Sequence, residues 1–229
     1  MHPRNLFDAR DAALLVVDMQ NAFCATDGGF AKAGRDVTAQ HAIIPTVVRL
    51  VQAARHAGLP VIWTIQENLS ADDRAALGRR LPYRLGRPNA GIPEPWCIRD
   101  SRDAELVDAL RAEQRVEDHV VRKLRMSAFY STTLDALLRI REIQTLVVAG
   151  VNTEKCIEST VREAFFRDLD VVVAGDAVAT SDRSFHEDSL RKIDLYFGAV
   201  MRTEAVVAEL ETIAPGQPIR SGATLGGSP

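Results

Sequence analysis

Lysine is scarce in this sequence: four lysines stand against 24 arginines. Cysteine is scarce as well. Cys24, Cys97 and Cys156 are odd in number, widely spaced and form no C-x-x-C pair, which argues against a disulfide framework or a zinc ribbon and fits a reducing, cytoplasmic setting. No apolar run approaches the ~18 residues of a membrane span, and the opening M-H-P-R-N-L-F-D-A-R-D lacks the apolar stretch of a signal peptide, so no membrane association is expected. Charge of one sign is not in excess either. With 28 basic and 31 acidic side chains the formal charge is -3, which offers no broad field for nucleic acid or anionic lipid. Neither G-x-G-x-x-G after the first strand nor G-x-x-x-x-G-K-[ST] occurs, and no H-E-x-x-H or other paired histidines at ligand spacing appear. We therefore expect no dinucleotide, P-loop or metal chemistry, and no cofactor.

What is present is a run of buried strands alternating with helices. Ala13 to Val17 and Leu146 to Ala149 are continuous apolar runs without polar alternation, the pattern of strands covered on both faces of a parallel sheet. Gly150 is expected to break the second. Ile43, Ile44, Val47, Val48, Leu50, Val51 and Ala54 trace a helix closed by Gly58, and Val61 to Ile65 makes the next strand, a right-handed parallel crossover. Asp103 to Ala112 reads as a short amphipathic helix, His119 to Lys123 as a strand, and Thr132 to Ile140 as a helix. A helix is expected from near Cys156 to Asp168, a strand from Val171 to Ala174 ending at Gly175-Asp176, a helix carrying Leu190, Ile193, Leu195 and Phe197, a short strand from Val200, and a last helix from Thr203 to Ile213. The fold class is α/β: one domain over residues 1–229 with a three-layer, doubly wound, mostly parallel sheet of six strands and helices on both faces. Residues 66–101 form an irregular stretch suited to a lid or a subunit contact. It carries Arg79, Arg80, Arg84 and Arg87 around Tyr83, with Trp96 as an anchor. Residues 214–229 have the composition of a flexible tail.

Three side chains stand at strand ends, where open α/β folds bind ligands. Asp18 ends the first strand, Lys123 the third, and Cys156 follows the fourth at a turn into a helix. One acid, one cation and one thiol make a coherent nucleophilic set: the cation steadies a thiolate, the carboxylate moves protons, and backbone N–H groups hold an oxyanion. Helix-start N–H groups also lower a thiol's pKa. Blander readings compete at each position, namely a small buried hydrophobe for Cys156, a turn or cap for Asp18 and a surface charge for Lys123. A redox-sensing thiol is a further rival, weakened by the lack of an evident resolving cysteine.

The segments A-L-L-V-V-D-M-Q-N-A-F, V-V-R-K-L-R-M-S-A-F and V-V-A-G-V-N-T-E-K-C-I-E-S-T-V-R-E-A, with D-A-V-A-T-S-D, closely resemble the isochorismatase-like cysteine hydrolases, a family that includes nicotinamidases, N-carbamoylsarcosine amidase, and biuret and ureidoacrylate hydrolases. By that resemblance Asp18, Lys123 and Cys156 are the catalytic triad, Val151 and Asn152 flank a cis peptide, and the backbone N–H groups of Asn152 and Cys156 form the oxyanion hole. It implies a small amide or ureide substrate cleaved through an acyl-cysteine with release of ammonia, and a homo-oligomer, dimer or tetramer. A vinyl-ether hydrolase and a nicotinamidase are the alternatives. Nicotinamidases carry an Asp and several His after the second strand. Here Gln66, Glu67 and Asn68 stand there, with no histidine between His56 and His119, which argues against that activity and its metal. Candidate substrate contacts are Phe23 as a pocket wall, Gln66 at the mouth, Glu67, Asn68 and Tyr130 as hydrogen-bonding groups, and Arg183 as a carboxylate partner.

Overall fold

A computed structural model describes residues 9–69 and 97–212. The arginine-rich stretch around Tyr83, Trp96 and the tail at 214–229 lie outside the described residues. The first strand, β1 (Ala12–Val17), is buried along its whole length. Its even residues Leu14 and Val16 enter one core and its odd residues Ala13, Leu15 and Val17 the other, so a strand with period 2 needs apolar side chains at every position. Short helices α1 (Asn21–Cys24), α2 (Gly29–Lys32) and α3 (Thr38–Ala42) lead to α4 (Ile44–His56), which begins with a proline and is followed by Gly58 at φ 79°. Val47, Leu50, Val51 and Ala54 form its buried stripe against the first core.

Strand β2 (Val61–Gln66) follows, then a short helix α5 (Asp108–Arg111), β3 (His119–Lys123), α6 (Leu134–Ile140) and β4 (Thr145–Val151). Helix α7 (Glu158–Phe165), β5 (Asp170–Ala179), α8 (Arg183–Lys192), β6 (Ala199–Met201) and α9 (Thr203–Glu211) complete the described chain. The sheet has six strands in the order β3-β2-β1-β4-β5-β6, every neighbouring pair parallel. The order reverses between β1 and β4, so their carboxyl ends flank the switch point of the doubly wound sheet. Helices α4 and α9 cover one face, and α6 and α7 the other. Among the described residues no helix is long and apolar enough to cross a membrane.

Four local expectations are corrected by tertiary contacts. Gly150 lies inside β4 rather than ending it; at φ 121° it lets β4 pass so close to β1 that a Cβ would stand 2.0 Å from the Val17 carbonyl oxygen. The segment from Asp103 to Ala112 is no single helix. A 3₁₀ turn at Arg102–Ala104 gives way to extended chain, because Leu106 bridges Gln20 and the Val107 N–H donates to the Met19 carbonyl before α5 starts. Strand β5 continues through Gly175 and Asp176 to Ala179, with a register shift against β4 between Val148 and Gly150. Asp176 sits in that strand as the acceptor for the Thr203 N–H and hydroxyl at the start of α9, both at 2.7 Å. Finally, α8 ends in a π turn at Ile193–Phe197 that buries Ile193 and leaves Leu195 66% exposed.

A buried polar knot ties the sheet's far edge to α4. Asp118 accepts from Trp63 Nε1 at 2.8 Å, from both terminal nitrogens of Arg55 at 2.9 and 2.6 Å, and from the Arg115 N–H. Burial raises its pKa, but the donors from Arg55, Arg115 and Trp63 outweigh that and hold it below the ordinary carboxylate range.

Two outcomes follow from this packing. Gly150→Ala should lose at least about 3 kcal/mol in urea unfolding, since neither strand can retreat from the added methyl; a variant as stable as the parent would mean that the β1–β4 approach is not tight. Asp118→Asn should cost about 2 to 3 kcal/mol at neutral pH. A depressed pKa contributes stability above the unfolded value and loses it as pH falls through the folded one, so the gap between variant and parent should close below about pH 4. A gap that stays constant down to about pH 3 would show that the carboxylate's charge is not what holds the knot.

Candidate active site

Asp18 follows β1 directly and adopts φ 51°, a left-handed conformation that turns the chain out of the sheet. Thr64, in the middle of β2, holds it from beside: its hydroxyl donates to Asp18 Oδ1 at 2.6 Å and accepts the Asp18 N–H at 3.1 Å. Lys123 ends β3, two strands away from β1, and its long side chain is almost fully buried. Its ammonium stands 2.7 Å from Asp18 Oδ2. The ammonium has three further acceptors, Gln66 Oε1 at 3.0 Å and the carbonyls of Met126 and Arg125 at 3.0 and 3.1 Å, so four acceptors compete for its three hydrogens. Asp18 Oδ2 is buried against this ammonium, and the Cys156 thiol also interacts with Asp18. Burial pulls the Lys123 pKa down, but the carboxylate and the nearby thiol pull it up by more, so the ammonium stays charged.

Cys156 lies in a π turn, Thr153–Ile157, between β4 and α7. The Asn152 carbonyl closes the turn by accepting from the N–H groups of Lys155 and Ile157, skipping that of Cys156. Cys156 is 6% exposed, and its thiol interacts with both Asp18 and Lys123. Its acidity departs from the expectation for a helix start. Burial pushes it up to about 12, Lys123 works against that rise and Asp18 adds to it, so the resting group is a thiol.

The bond between Val151 and Asn152 is cis. Asn152 is anchored by a residue not singled out from the sequence: Gln40, fully buried in α3, donates to Asn152 Oδ1 at 3.2 Å and to Ser181 Oγ at 2.9 Å. Thr64 and Gln20 were likewise not identified as site residues. Thr64 carries a visible signal, a lone polar residue in the buried run V-I-W-T-I, and Gln20 stands two residues after Asp18. Gln40 carries none.

The remaining candidates are spread apart. Phe23 belongs to the first core and packs edge-on against Phe30 at 4.9 Å. The Glu67 carboxylate is buried between Arg99 and Arg122, and the Arg99 contact leads in lowering its pKa. It is an internal ion pair, not an open hydrogen-bonding group. Asn68 forms a parallel bridge with Ile98, which joins the two described ends of the stretch between β2 and α5. Tyr130 is exposed, and Arg183 is 90% exposed and paired with Glu187 one turn along α8. Gln66 meets Lys123. Among the described residues no three of His, Cys, Asp and Glu converge as a metal would require.

The chain is similar to known proteins over nearly its whole length. The family model described as "Isochorismatase domain" matches residues 12–205. A ureidoacrylate amidohydrolase of Methylorubrum extorquens is 38% identical over 215 residues, covering 90% of this chain and 85% of that protein. A ureidoacrylate amidohydrolase of Klebsiella pneumoniae is 33% identical, covering 91% of each. The crystal structure of a cysteine hydrolase from Pseudomonas syringae superimposes with a TM-score of 0.77 at 28% identity, over 91% of this chain and 96% of that one. With a family match across the sheet and its site, and relatives that share nearly the whole length, the chain belongs to the isochorismatase family.

Proposed function

We propose that this protein is a cysteine amidohydrolase that cleaves a C–N bond of a small ureide, with Asp18, Lys123 and Cys156 as its catalytic residues. The observation that carries this reading is the buried acid, cation and thiol gathered at the switch point of the sheet. The ureide class is supported by the curated relatives, which are named for ureidoacrylate.

In this scheme Asp18 Oδ2 takes the Cys156 proton as the sulfur bonds to the substrate carbonyl carbon. The oxyanion that forms is held by the backbone N–H groups of Asn152 and Cys156. Collapse of the tetrahedral species breaks the C–N bond, and Asp18 returns its proton to the departing nitrogen. Water then loses a proton to Asp18 and attacks the thioester-type carbonyl. The sulfur leaves and recovers that proton. Ammonia appears as the leaving group or from breakdown of a carbamate product. Lys123 remains charged throughout.

The reading extends to setting and assembly. Three free, buried cysteines support a cytosolic protein. The neighbouring aromatic rings of Phe165, Phe166, Tyr196 and Phe197, the first three exposed, support self-association.

Ammonia release should be assayed with biuret, N-carbamoylsarcosine, ureidoacrylate-like compounds and nicotinamide. We expect turnover of a ureide, and a loss of at least about a thousand-fold in Cys156→Ser and in Asp18→Asn with folding unchanged. An active Cys156→Ser protein would remove the covalent scheme. The acidity of the thiol has its own test: alkylation of the free enzyme by iodoacetamide should still be accelerating above about pH 9, whereas a plateau below about pH 8 would reveal a preformed thiolate.

A further inference from the structure

The proposed chemistry asks two things of Asp18 Oδ2. It must stay ionised beside Lys123, and it must keep an acceptor direction open for the thiol proton. Lys123 favours the first and threatens the second, since an ammonium 2.7 Å from a carboxylate oxygen ordinarily turns a hydrogen onto it. Here three other acceptors compete for those hydrogens. Two are the carbonyls of Arg125 and Met126 in the turn after β3, and these are backbone groups set by the fold. The third is a side chain, Gln66 Oε1.

The orientation of that carboxamide follows from chemistry, because an ammonium has only donors and the Gln66 atom it meets must be the oxygen. The end of β2 is itself pinned. Gln20 Oε1 accepts the Gln66 N–H at 2.9 Å, and Gln20 Nε2 donates to the carbonyls of Gln66 at 2.8 Å and Ala104 at 2.9 Å. Gln20 is fully buried, and its backbone bridges Leu106. The Gln66 oxygen is therefore presented to Lys123 from a fixed strand end.

We propose that Gln66 is a positioning residue: its side-chain oxygen draws one ammonium hydrogen of Lys123 away from Asp18 Oδ2 and so keeps that oxygen free to receive the Cys156 proton. The inference rests on the reading of Asp18 as the base. It gives the Gln66 oxygen a role apart from the expected substrate contact, because that acceptor is already engaged by Lys123.

One variant and two readouts separate these roles. Gln66→Met keeps the length of the side chain and adds no charge, but removes the acceptor and leaves one more ammonium hydrogen for Oδ2. On the best ureide, Gln66→Met should lower kcat about ten-fold with KM within about two-fold of the parent. Iodoacetamide alkylation, followed by mass spectrometry on the peptide that contains Cys156, should slow in Gln66→Met by a similar factor. A rise in KM with kcat and alkylation unchanged would make Gln66 a substrate contact and overturn the proposal. So would a Gln66→Met protein that turns over and alkylates like the parent. Alkylation needs no substrate, so an enzyme inert to every ureide would refute the substrate assignment while the positioning role was still decided by the thiol.

Discussion

The fold of this protein is organised around one buried ion pair. Lys123 and Asp18 meet at 2.7 Å with both side chains fully shielded from solvent. Taking two such charges out of water costs several kcal/mol each, and their attraction offsets this only when the remaining donors and acceptors are also satisfied. The site meets that demand almost completely: Thr64 serves one carboxylate oxygen, and Gln66 and two backbone carbonyls serve the ammonium. The other carboxylate oxygen, Asp18 Oδ2, faces the ammonium itself. The same arithmetic warns against reading Lys123 by simple deletion. Removing the cation would strand a buried carboxylate, so lost stability and lost catalysis would arrive together.

The surrounding structure explains why these two groups can meet at all. They end strands separated by β2, and a parallel register brings Val17 level with Thr64 and Gln66 level with Lys123. Gly150 then lets β4 approach β1 closely enough to set the Asn152 to Cys156 segment beside Asp18. The two apolar cores hold the strands from opposite faces, so the strand ends have little freedom to drift. A site at the carboxyl edge of such a sheet is preorganised by packing that lies well below it.

Much of this was legible in the sequence, for physical reasons. Continuous apolar runs such as A-L-L-V-V and L-V-V-A mark doubly covered strands, so their final residues mark the sheet edge where Asp18 and Cys156 stand. Lys123 was legible through alternation, since His119, Val121 and Lys123 share one face of β3. What escaped depends on partners distant in sequence. Nothing local announces that Leu106 will bridge Gln20, that Gln66 will face Lys123, or that Gln40 will reach Asn152. The acidity of Cys156 was misjudged for a related reason. A turn into a helix suggests an activated thiolate, but burial depends on the whole fold, and in this site burial dominates.

A neutral resting thiol is what the charge balance of the site requires. With Asp18 ionised, Lys123 protonated and Cys156 neutral, the three groups sum to zero. Losing the thiol proton to solvent would leave a net negative charge in a dry pocket, and the pKa of about 12 expresses that penalty. In the proposed scheme, passing the proton to Asp18 instead keeps the sum at zero while creating the thiolate. The sum stays at zero when the negative charge moves from sulfur to the carbonyl oxygen, and again when Asp18 returns the proton to the leaving nitrogen. Each step displaces charge over a short distance and none creates it, so low polarity, which opposes ionisation to solvent, does not oppose the reaction. On this account a depressed thiol pKa would be a disadvantage. It would commit the site to a thiolate and a protonated lysine while Asp18 stayed ionised, leaving a net negative charge that the buried site is least able to hold.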